Sequence, residues 1–336
     1  MKVLIDCDSP FALAHGGMQV QIEQTLRALP GLGVEAEALR WWDERQRGDV
    51  LHQFGVLSEG TINLAHRQGM KVVMTLLLSQ TCNRTPFQLA TRRWMIQALR
   101  RMPKLLTAGQ TSVWDSCRVA DHIVVGLEAE RQVVIRNYGI APEKVSAVPL
   151  GLPEAFLKSP PARRDGDYLI SVGTIAPVKR ALELARLARE TQVPVLFVGK
   201  PFEPGNAYWK EFSSLVDGKC VRHQPHVSSE TDLLKLYQSA RGHVLMSHYE
   251  NWSFVAHEAA ACGLPLLVMD LPWSRERFGD QAKYFPRKWN DEANAVALKS
   301  FYEQSATAPA PKVTLHDWTD VARKLKDLYE GLTRAR

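Results

Sequence analysis

The sequence predicts an α/β protein built from two doubly wound halves, and three observations carry that prediction. Short aliphatic and β-branched runs alternate with longer stretches of helical periodicity, the order that gives a parallel sheet covered by helices on both faces. The alternation runs twice along the chain, with a proline- and arginine-rich segment between the two rounds. The 336 residues are enough for two domains, each with its own core.

The first round opens with a strand over residues 2–6. A turn containing Gly16 and Gly17 follows, then a helix periodic in Val20, Ile22, Leu26 and Leu29. Glycines there let backbone N–H groups approach an anion at a helix N-terminus. The full Gly-x-Gly-x-x-Gly dinucleotide fingerprint is absent. Further strands are expected over 34–39, 50–54, 71–77, 122–125 and 144–148. Residues 152–167, with Pro153, Pro160, Pro161, Arg163 and Arg164, read as a linker. Strands resume over 168–172, 195–198, 219–222, 243–246 and 266–269.

The most informative stretch runs from His248 to Pro265, between the last two of those strands. Glu250 and Glu258 stand in it with seven residues between them. Ser253 is placed to cap a helix over 254–262, starting at Phe254, and Gly263 with Pro265 ends it. Glu250 then lies at the carboxyl end of a strand and Glu258 one to two turns into the helix. In an open α/β sheet that edge binds ligands, and two carboxylates beside a helix N-terminus suit one carrying hydroxyls and an anionic group. The bland alternative is two solvated surface glutamates. Ala256, Ala259, Ala260 and Cys262 argue against it, because so small a set of neighbours packs the helix closely.

A second strand–turn–helix runs from Ser171 to Arg180, with Lys179 and Arg180 in the first helical turn. A lysine there can neutralise a diphosphate as a point charge, or be an ordinary surface lysine on an amphipathic helix. Asp6 and Asp8 form an Asp-x-Asp pair that could hold a divalent metal but reads first as a strand terminus and turn. His223 and His226 lack partners at zinc spacing. His248 and His257 flank the glutamates and read equally as packing, orienting or acid–base groups. Serine-hydrolase elbows and Walker loops are missing.

At 45% hydrophobic and 23% charged residues the chain is soluble and globular, with a formal charge of +6. Five scattered cysteines without a Cys-x-x-Cys pair, no visible secretory signal and no apolar run of membrane length lead us to expect a cytoplasmic protein. Residues 60–114 hold eight Lys or Arg and no Asp or Glu. Within them Phe87, Ala90, Trp94, Ala98, Leu99 and Met102 fall on one helical stripe, with Arg92, Arg93, Arg100 and Arg101 around it. Such a helix either packs on the core with a solvated basic face or lies on an anionic membrane surface. Its aromatics are not interleaved as base-stacking platforms, so no nucleic-acid partner is expected.

These motifs resemble those of a GT-B glycosyltransferase of glycosyltransferase family 4. Glu250-x7-Glu258 followed by Ala-Ala-Ala-Cys-Gly-Leu-Pro resembles the family's Glu-x7-Glu signature. Val172 to Lys179 resembles its donor motif, and Gly16-Gly17 its glycine loop. Residues 120–125 and 148–156 resemble the end of its N-terminal domain, and 318–332 its C-terminal helix. The resemblance implies an N-terminal acceptor-side domain over 1–155, a nucleotide-sugar-binding domain over 166–315 facing it across a cleft, and a helix over 316–336 crossing back. It also implies retaining, metal-independent transfer of a sugar from a nucleotide diphosphate sugar to a glycan or lipid-linked acceptor, as in bacterial-type polysaccharide or glycoconjugate synthesis, without any further cofactor. Glu258 would bind the ribose hydroxyls, Glu250 the donor sugar and Lys179 the leaving diphosphate, with Gly16, Gly17, Thr174, Arg180, Ser253 and Phe254 around them. The chain departs from the family at Thr174, where an arginine is usual, and at Leu76 to Ser79, where a histidine is often found. Leu150 and Pro153 replace the usual Asn and Asp between the domains. Those departures keep a second reading open, a catalytically silent nucleotide-sugar-binding or scaffold protein of the same fold. A nucleotide-sugar epimerase would need an extra acid–base pair that is not visible.

Overall fold

The computed structural model describes residues 1–8, 11, 16–100, 112–225, 227 and 229–334. The chain divides into two compact units, Met1–Gly151 with His316–Arg336, and Leu152–Leu315. In the first unit the elements run β1 (Lys2–Cys7), α1 (Gly17–Ala28), β2 (Glu35–Ala38), β3 (Val50–Phe54), α2 (Glu59–Arg67) and β4 (Lys71–Thr75). Then come α3 (Ser79–Cys82), α4 (Pro86–Arg100), α5 (Ser112–Val119), β5 (His122–Val125), α6 (Glu128–Tyr138) and β6 (Val145–Ala147). The second unit holds α7 (Glu154–Leu157), β7 (Leu169–Val172), α8 (Ala181–Thr191), β8 (Val195–Val198), α9 (Ala207–Leu215), β9 (Val221–Gln224) and α10 (Glu230–Ser239). It continues with β10 (Gly242–Leu245), α11 (Phe254–Ala261), β11 (Leu266–Met269), α12 (Pro272–Phe278), β12 (Lys283–Phe285) and α13 (Asp291–Gln304), and α14 (Trp318–Arg334) then joins the first unit.

Each unit carries a six-stranded sheet, in the orders β2-β1-β3-β4-β5-β6 and β12-β11-β10-β7-β8-β9. Every strand pairing is parallel. Such sheets are buried on both faces, and β3, β5, β10 and β11 are buried at every position. That is why they read as mainly apolar runs rather than alternating ones, even where β3 carries His52 and Gln53. The strand order reverses between β1 and β3 in the first unit and between β7 and β10 in the second. In an open parallel sheet such a reversal point, at the strands' carboxyl ends, is where ligands bind.

Helix α14 buries Trp318, Val321, Ala322, Leu325 and Tyr329, spaced as one helical face. Val321 and Leu325 alone contribute roughly 1.5–3 kcal/mol each on burial, which helps hold the helix on the first unit. Tyr329 Oη lies 2.6 Å from His52 Nδ1, and His52 Nε2 lies 2.7 Å from Thr75 Oγ1, so the helix is tied to β3 and β4. Lys326 donates to the Leu32 carbonyl at 2.9 Å.

Three sequence expectations are corrected. The proposed linker over 152–167 is part of the second unit, and the division falls at Gly151/Leu152 rather than at 155–166. Phe156 is buried there, edge-on to Tyr237, and Arg164 donates to the carbonyls of Gly263 and Ala308 at 2.5 and 2.7 Å. The prolines and arginines that suggested a free segment instead dock one. Strand β9 lies over Val221–Gln224 rather than 219–222, and β4 stops at Thr75. The three-residue β12 was not expected at all, because Lys283-Tyr284-Phe285 is too short to show a pattern.

The third correction concerns α4. Of the stripe for which core packing and a membrane surface were both open, Phe87 and Trp94 are exposed, at 78% and 72%, so core packing of that face does not hold. Ile96 packs inward instead, with Leu89 beside it. Arg92 also turns inward, its Nε buried and its guanidinium beside the Tyr138 hydroxyl. Arg93 is exposed; the Leu99 and Arg100 side chains, Arg101 and Met102 lie outside the described residues. The spacing fits either face of a short helix, and the inward face is decided by the contact with α6, a tertiary partner that periodicity does not identify.

Candidate functional site

The loops after β7 and β10 leave the second sheet at its reversal point and carry the candidate groups. After β7 the chain passes Gly173 and Thr174, then a 3-10 turn over Pro177–Lys179, before α8. Gly199, after β8, crosses this loop so closely that a Cβ there would sit 2.0 Å from the Gly173 carbonyl oxygen. Its φ of +155° is also one that side-chain-bearing residues rarely adopt, so only glycine fits. The His248 N–H donates to the Val178 carbonyl at 2.8 Å, tying the two loops together.

Lys179 and Glu250 meet across this junction. The Lys179 ammonium donates to Glu250 Oε1, and the Ser247 hydroxyl donates to the same oxygen at 2.8 Å. The two side chains retain 29% and 11% exposure, so the pair is partly desolvated yet reachable from solvent. Arg180 belongs to the same loop but is directed elsewhere. Its guanidinium donates to His248 Nδ1 at 2.7 Å and lies 4.9 Å from the centre of the Trp289 ring. Burial lowers its pKa. The second cation is therefore adjacent to the lysine in sequence and bonded to other partners in space.

Glu258 sits on α11. Its Oε2 accepts from the Tyr237 hydroxyl at 3.0 Å. Burial raises the Glu258 pKa to about 7, with the Tyr237 hydrogen bond opposing and the negative charge of Glu230 adding to the rise. Ser253 occupies the N-cap position, but the expected cap is absent: its side chain makes no cap hydrogen bond. A capping serine needs β-region backbone, and Ser253 has φ +61°. Its hydroxyl is buried without a hydrogen-bond partner. A non-glycine residue in that region costs about 1–2 kcal/mol.

His257 is buried one turn into α11. Its Nδ1 lies 3.0 Å from the Ser253 carbonyl, and Arg277 Nε donates to its Nε2 at 3.1 Å. A carbonyl only accepts and a guanidinium only donates, so Nδ1 carries the proton and the ring is neutral. Burial lowers its pKa to about 3. The ring stacks on Trp252 with centroids 4.4 Å apart and planes 5° from parallel, and the Arg277 guanidinium lies 4.2 Å over the same indole.

Sequence reasoning thus named Lys179, Glu250 and Glu258 and missed Ser247, Tyr237, Trp252 and Arg277. His257 at four residues past Ser253 was readable as a helical neighbour; Tyr237 and Arg277 come from α10 and α12 and leave no local signal. Phe254 opens α11 and Thr174 lies in the loop after β7, both partly exposed. Gly16 and Gly17 stand at the start of α1 in the first unit, Gly16 at φ +152°. Asp8 accepts from Gln53 Nε2 at 2.9 Å and the Val56 N–H at 3.3 Å, and Asp6 from Trp41 Nε1 at 3.4 Å. Those partners come from the end of β3, the loop after it and the segment after β2, each more than thirty residues away in the chain. Among the described residues no group of three or more His, Cys, Asp or Glu is placed to hold a metal. His223 bonds the Gly199 carbonyl at 2.9 Å, and His226 lies outside the described residues.

Comparison with known proteins places this geometry. The family model for glycosyl transferases group 1 matches residues 154–324, just over half of the chain and a segment that holds Lys179, Glu250 and Glu258. The D-inositol 3-phosphate glycosyltransferase of Kineococcus radiotolerans is 30% identical over 172 residues, covering 44% of this chain and 39% of the relative. The MMP α-(1→4)-mannosyltransferase of Mycolicibacterium hassiacum is 26% identical, over 66% of this chain and 53% of its own length. The chain therefore spans about two-fifths to one-half of the curated relatives it matches. Among solved structures, the sucrose-phosphate synthase of Thermosynechococcus elongatus superposes with a TM-score of 0.69 at 15% identity, with 100% of both chains covered. Anabaena HepE in complex with UDP and glucose gives 0.62 at 12% identity, covering 97% of this chain and 99% of that one. At such identities these likenesses show the fold, and with the two parallel six-stranded sheets they give the GT-B class. On the match that spans Lys179 and the glutamate pair, the chain belongs to the glycosyl transferases group 1 family.

Proposed function

We propose that the protein is a retaining glycosyltransferase that moves a sugar from a nucleoside diphosphate sugar to a glycan or lipid-linked acceptor. The observation that carries this reading is the Lys179–Glu250 pair at the reversal point of the second sheet, with Glu258 on the adjoining helix. In the ligand-free pair each charge satisfies the other. An arriving diphosphate competes for the Lys179 ammonium, and Glu250, released, can accept from sugar hydroxyls. Glu258 as carboxylate would accept from the ribose hydroxyls. As the sugar–phosphate bond breaks, Lys179 faces the growing negative charge on the leaving diphosphate, stabilisation that is stronger in the transition state than in the ground state. Anabaena HepE, which shares the fold, is solved in complex with UDP and glucose, and this makes a uridine diphosphate sugar the first donor to try. The test is to incubate the protein with UDP-, GDP- and ADP-sugars and candidate acceptors with and without EDTA, and to read the product by NMR. The reading expects transfer that survives chelation with the donor's anomeric configuration kept. Inversion, or activity restored only by manganese, overturns it.

The silent-protein reading is favoured by one observation, that Thr174 offers no cation and Arg180 is bonded to His248 and Trp289. Nucleotide binding without transfer or donor hydrolysis across that panel would select it.

A membrane-borne acceptor is supported by α4. Phe87, Trp94 and Met95 are exposed on it beside Arg93, within a stretch free of acidic residues. Aromatics at the headgroup level with basic neighbours hold a helix at an anionic surface, each Lys or Arg contributing about 1 kcal/mol. Among the described residues no helix is long and apolar enough to cross a membrane. The protein should sediment with vesicles containing phosphatidylglycerol at low salt, and Phe87→Ser with Trp94→Ser should abolish that. Sedimentation unaffected by the double change places the contact elsewhere.

A further inference from the structure

Ser253 is the unusual residue of the Glu250–Glu258 segment. It is 7% exposed, left-handed, and its buried hydroxyl has no partner. The other described non-glycine residues with positive φ are Arg164, Arg180 and Gln192. Arg164 has its guanidinium bonded to backbone carbonyls, and Gln192 stands at a helix C-cap, where the left-handed region is common. Ser253 stands at a helix N-cap, where β-region backbone is usual; Arg180, the N-cap of α8, is left-handed too, but its guanidinium is bonded to His248 and lies over Trp289, whereas the Ser253 side chain has no hydrogen-bond partner. Something must therefore hold it, because the chain bends here between the loop carrying Glu250 and the helix carrying Glu258.

We infer that His257, Arg277 and Trp252 form a clamp that holds Ser253 in the left-handed conformation and so sets Glu250 and Glu258 in register for the donor. The Ser253 carbonyl accepts twice from one residue, from the His257 backbone N–H at 3.3 Å and from the His257 ring Nδ1–H at 3.0 Å. The ring is fixed in turn by Arg277 at its Nε2 and by Trp252 across its face. Arg277 is anchored on its far side by donating to the Thr314 carbonyl at 3.2 Å. Phe278, next to Arg277 in the chain, lies 5.3 Å from the His257 ring and closes the remaining side. None of the three is placed on the substrate. They act through Ser253, as positioning residues, and the inference rests on the donor-site reading above.

The chemistry supplies its own rescue. Glycine takes a φ near +60° without steric cost, so a chain with glycine at 253 needs no clamp. The experiment is a double-mutant cycle between Ser253→Gly and His257→Leu, a change that keeps side-chain volume but removes both ring hydrogen bonds. Affinity for UDP, GDP and ADP is measured by calorimetry in each variant. With serine at 253, His257→Leu is expected to weaken the nucleotide that binds by about tenfold or more; with glycine at 253 the same change should cost less than threefold. Arg277→Met, which frees the ring from its other end, should follow the same pattern if His257→Leu folds poorly. Equal losses in the serine and glycine backgrounds overturn the clamp, since a role in stability alone does not depend on residue 253. Hydrogen exchange at the amides of 250–254 separates this outcome from failure of the donor-site reading. Faster exchange in His257→Leu with no nucleotide bound by any form condemns the donor site and keeps the clamp. Unchanged exchange overturns the clamp whatever binds.

Discussion

Glu258 is a carboxyl that the protein holds against its ordinary ionisation. Burial raises its pKa to about 7, and Tyr237 is its hydrogen-bonding neighbour. A ribose hydroxyl donates to the carboxylate form, so below pH 7 binding must first remove a proton. Affinity for a nucleoside diphosphate sugar, which has no group titrating near neutrality, should therefore rise between pH 6 and 8, by up to about tenfold per pH unit below the pKa. Calorimetry with UDP-glucose over that range checks it, and Glu258→Gln should flatten the profile. A wild-type profile already flat assigns Glu258 to helix packing. The residue scale is also where the sequence was most legible. Lys179, Glu250 and Glu258 are charged groups in apolar surroundings, which is a signal one chain can give. Their partners Tyr237 and Arg277 arrive from other helices, and Arg180, next to a named lysine, is held by Trp289 from more than a hundred residues away.

At the scale of elements, the two loops that carry the site depend on a backbone crossing. Gly199→Ala would push a Cβ into the Gly173 carbonyl in a backbone conformation alanine disfavours, and neither strand end can move without disturbing the β7–β8 pairing. We expect a loss of well over 1 kcal/mol of stability in the second unit, read by denaturant unfolding. A loss below about 0.5 kcal/mol would show that the crossing relaxes freely. The strands themselves were nearly all legible, because two-sided burial writes them as apolar runs. Helix faces were less so. In α4 the stripe of Phe87 and Trp94 has the right period for a core face, yet the packing against α6 selected Leu89 and Ile96. The linker failed for a similar reason: prolines mark a break in regular structure, and 152–167 is irregular but docked.

At the scale of the whole molecule, four of the described histidines are buried and bear on its response to acid. His52 and His122 in the first unit are held to about 3 and about 4, and His243 and His257 in the second to about 3, all chiefly by burial. Each is neutral when folded but takes up a proton when unfolded below about pH 6.5, so each removes stability as pH falls from there. Glu258 acts in the opposite sense, because its raised pKa lets the folded state hold a proton between pH 7 and 4.5 that the unfolded state has released. Between pH 6 and 5 the first unit should therefore lose roughly 2.7 kcal/mol per pH unit and the second roughly 1.4, at most, since relaxation around buried groups softens both slopes. Hydrogen exchange between pH 6 and 5 should show the opening free energy of the first unit falling more steeply with pH than that of the second. Equal slopes, or a steeper second unit, contradict the assignment. The account as a whole turns on whether Lys179 and Glu258 make a nucleotide site, and calorimetry of UDP, GDP and ADP against the wild type, Lys179→Ala, Glu258→Ala and the distant control Glu303→Ala tests that most directly. Losing a charge-assisted contact costs roughly 1.5–3 kcal/mol, so both site variants should weaken the nucleotide that binds by tenfold or more, with the control unchanged. Wild-type affinity in both site variants, with their folds intact, would contradict it.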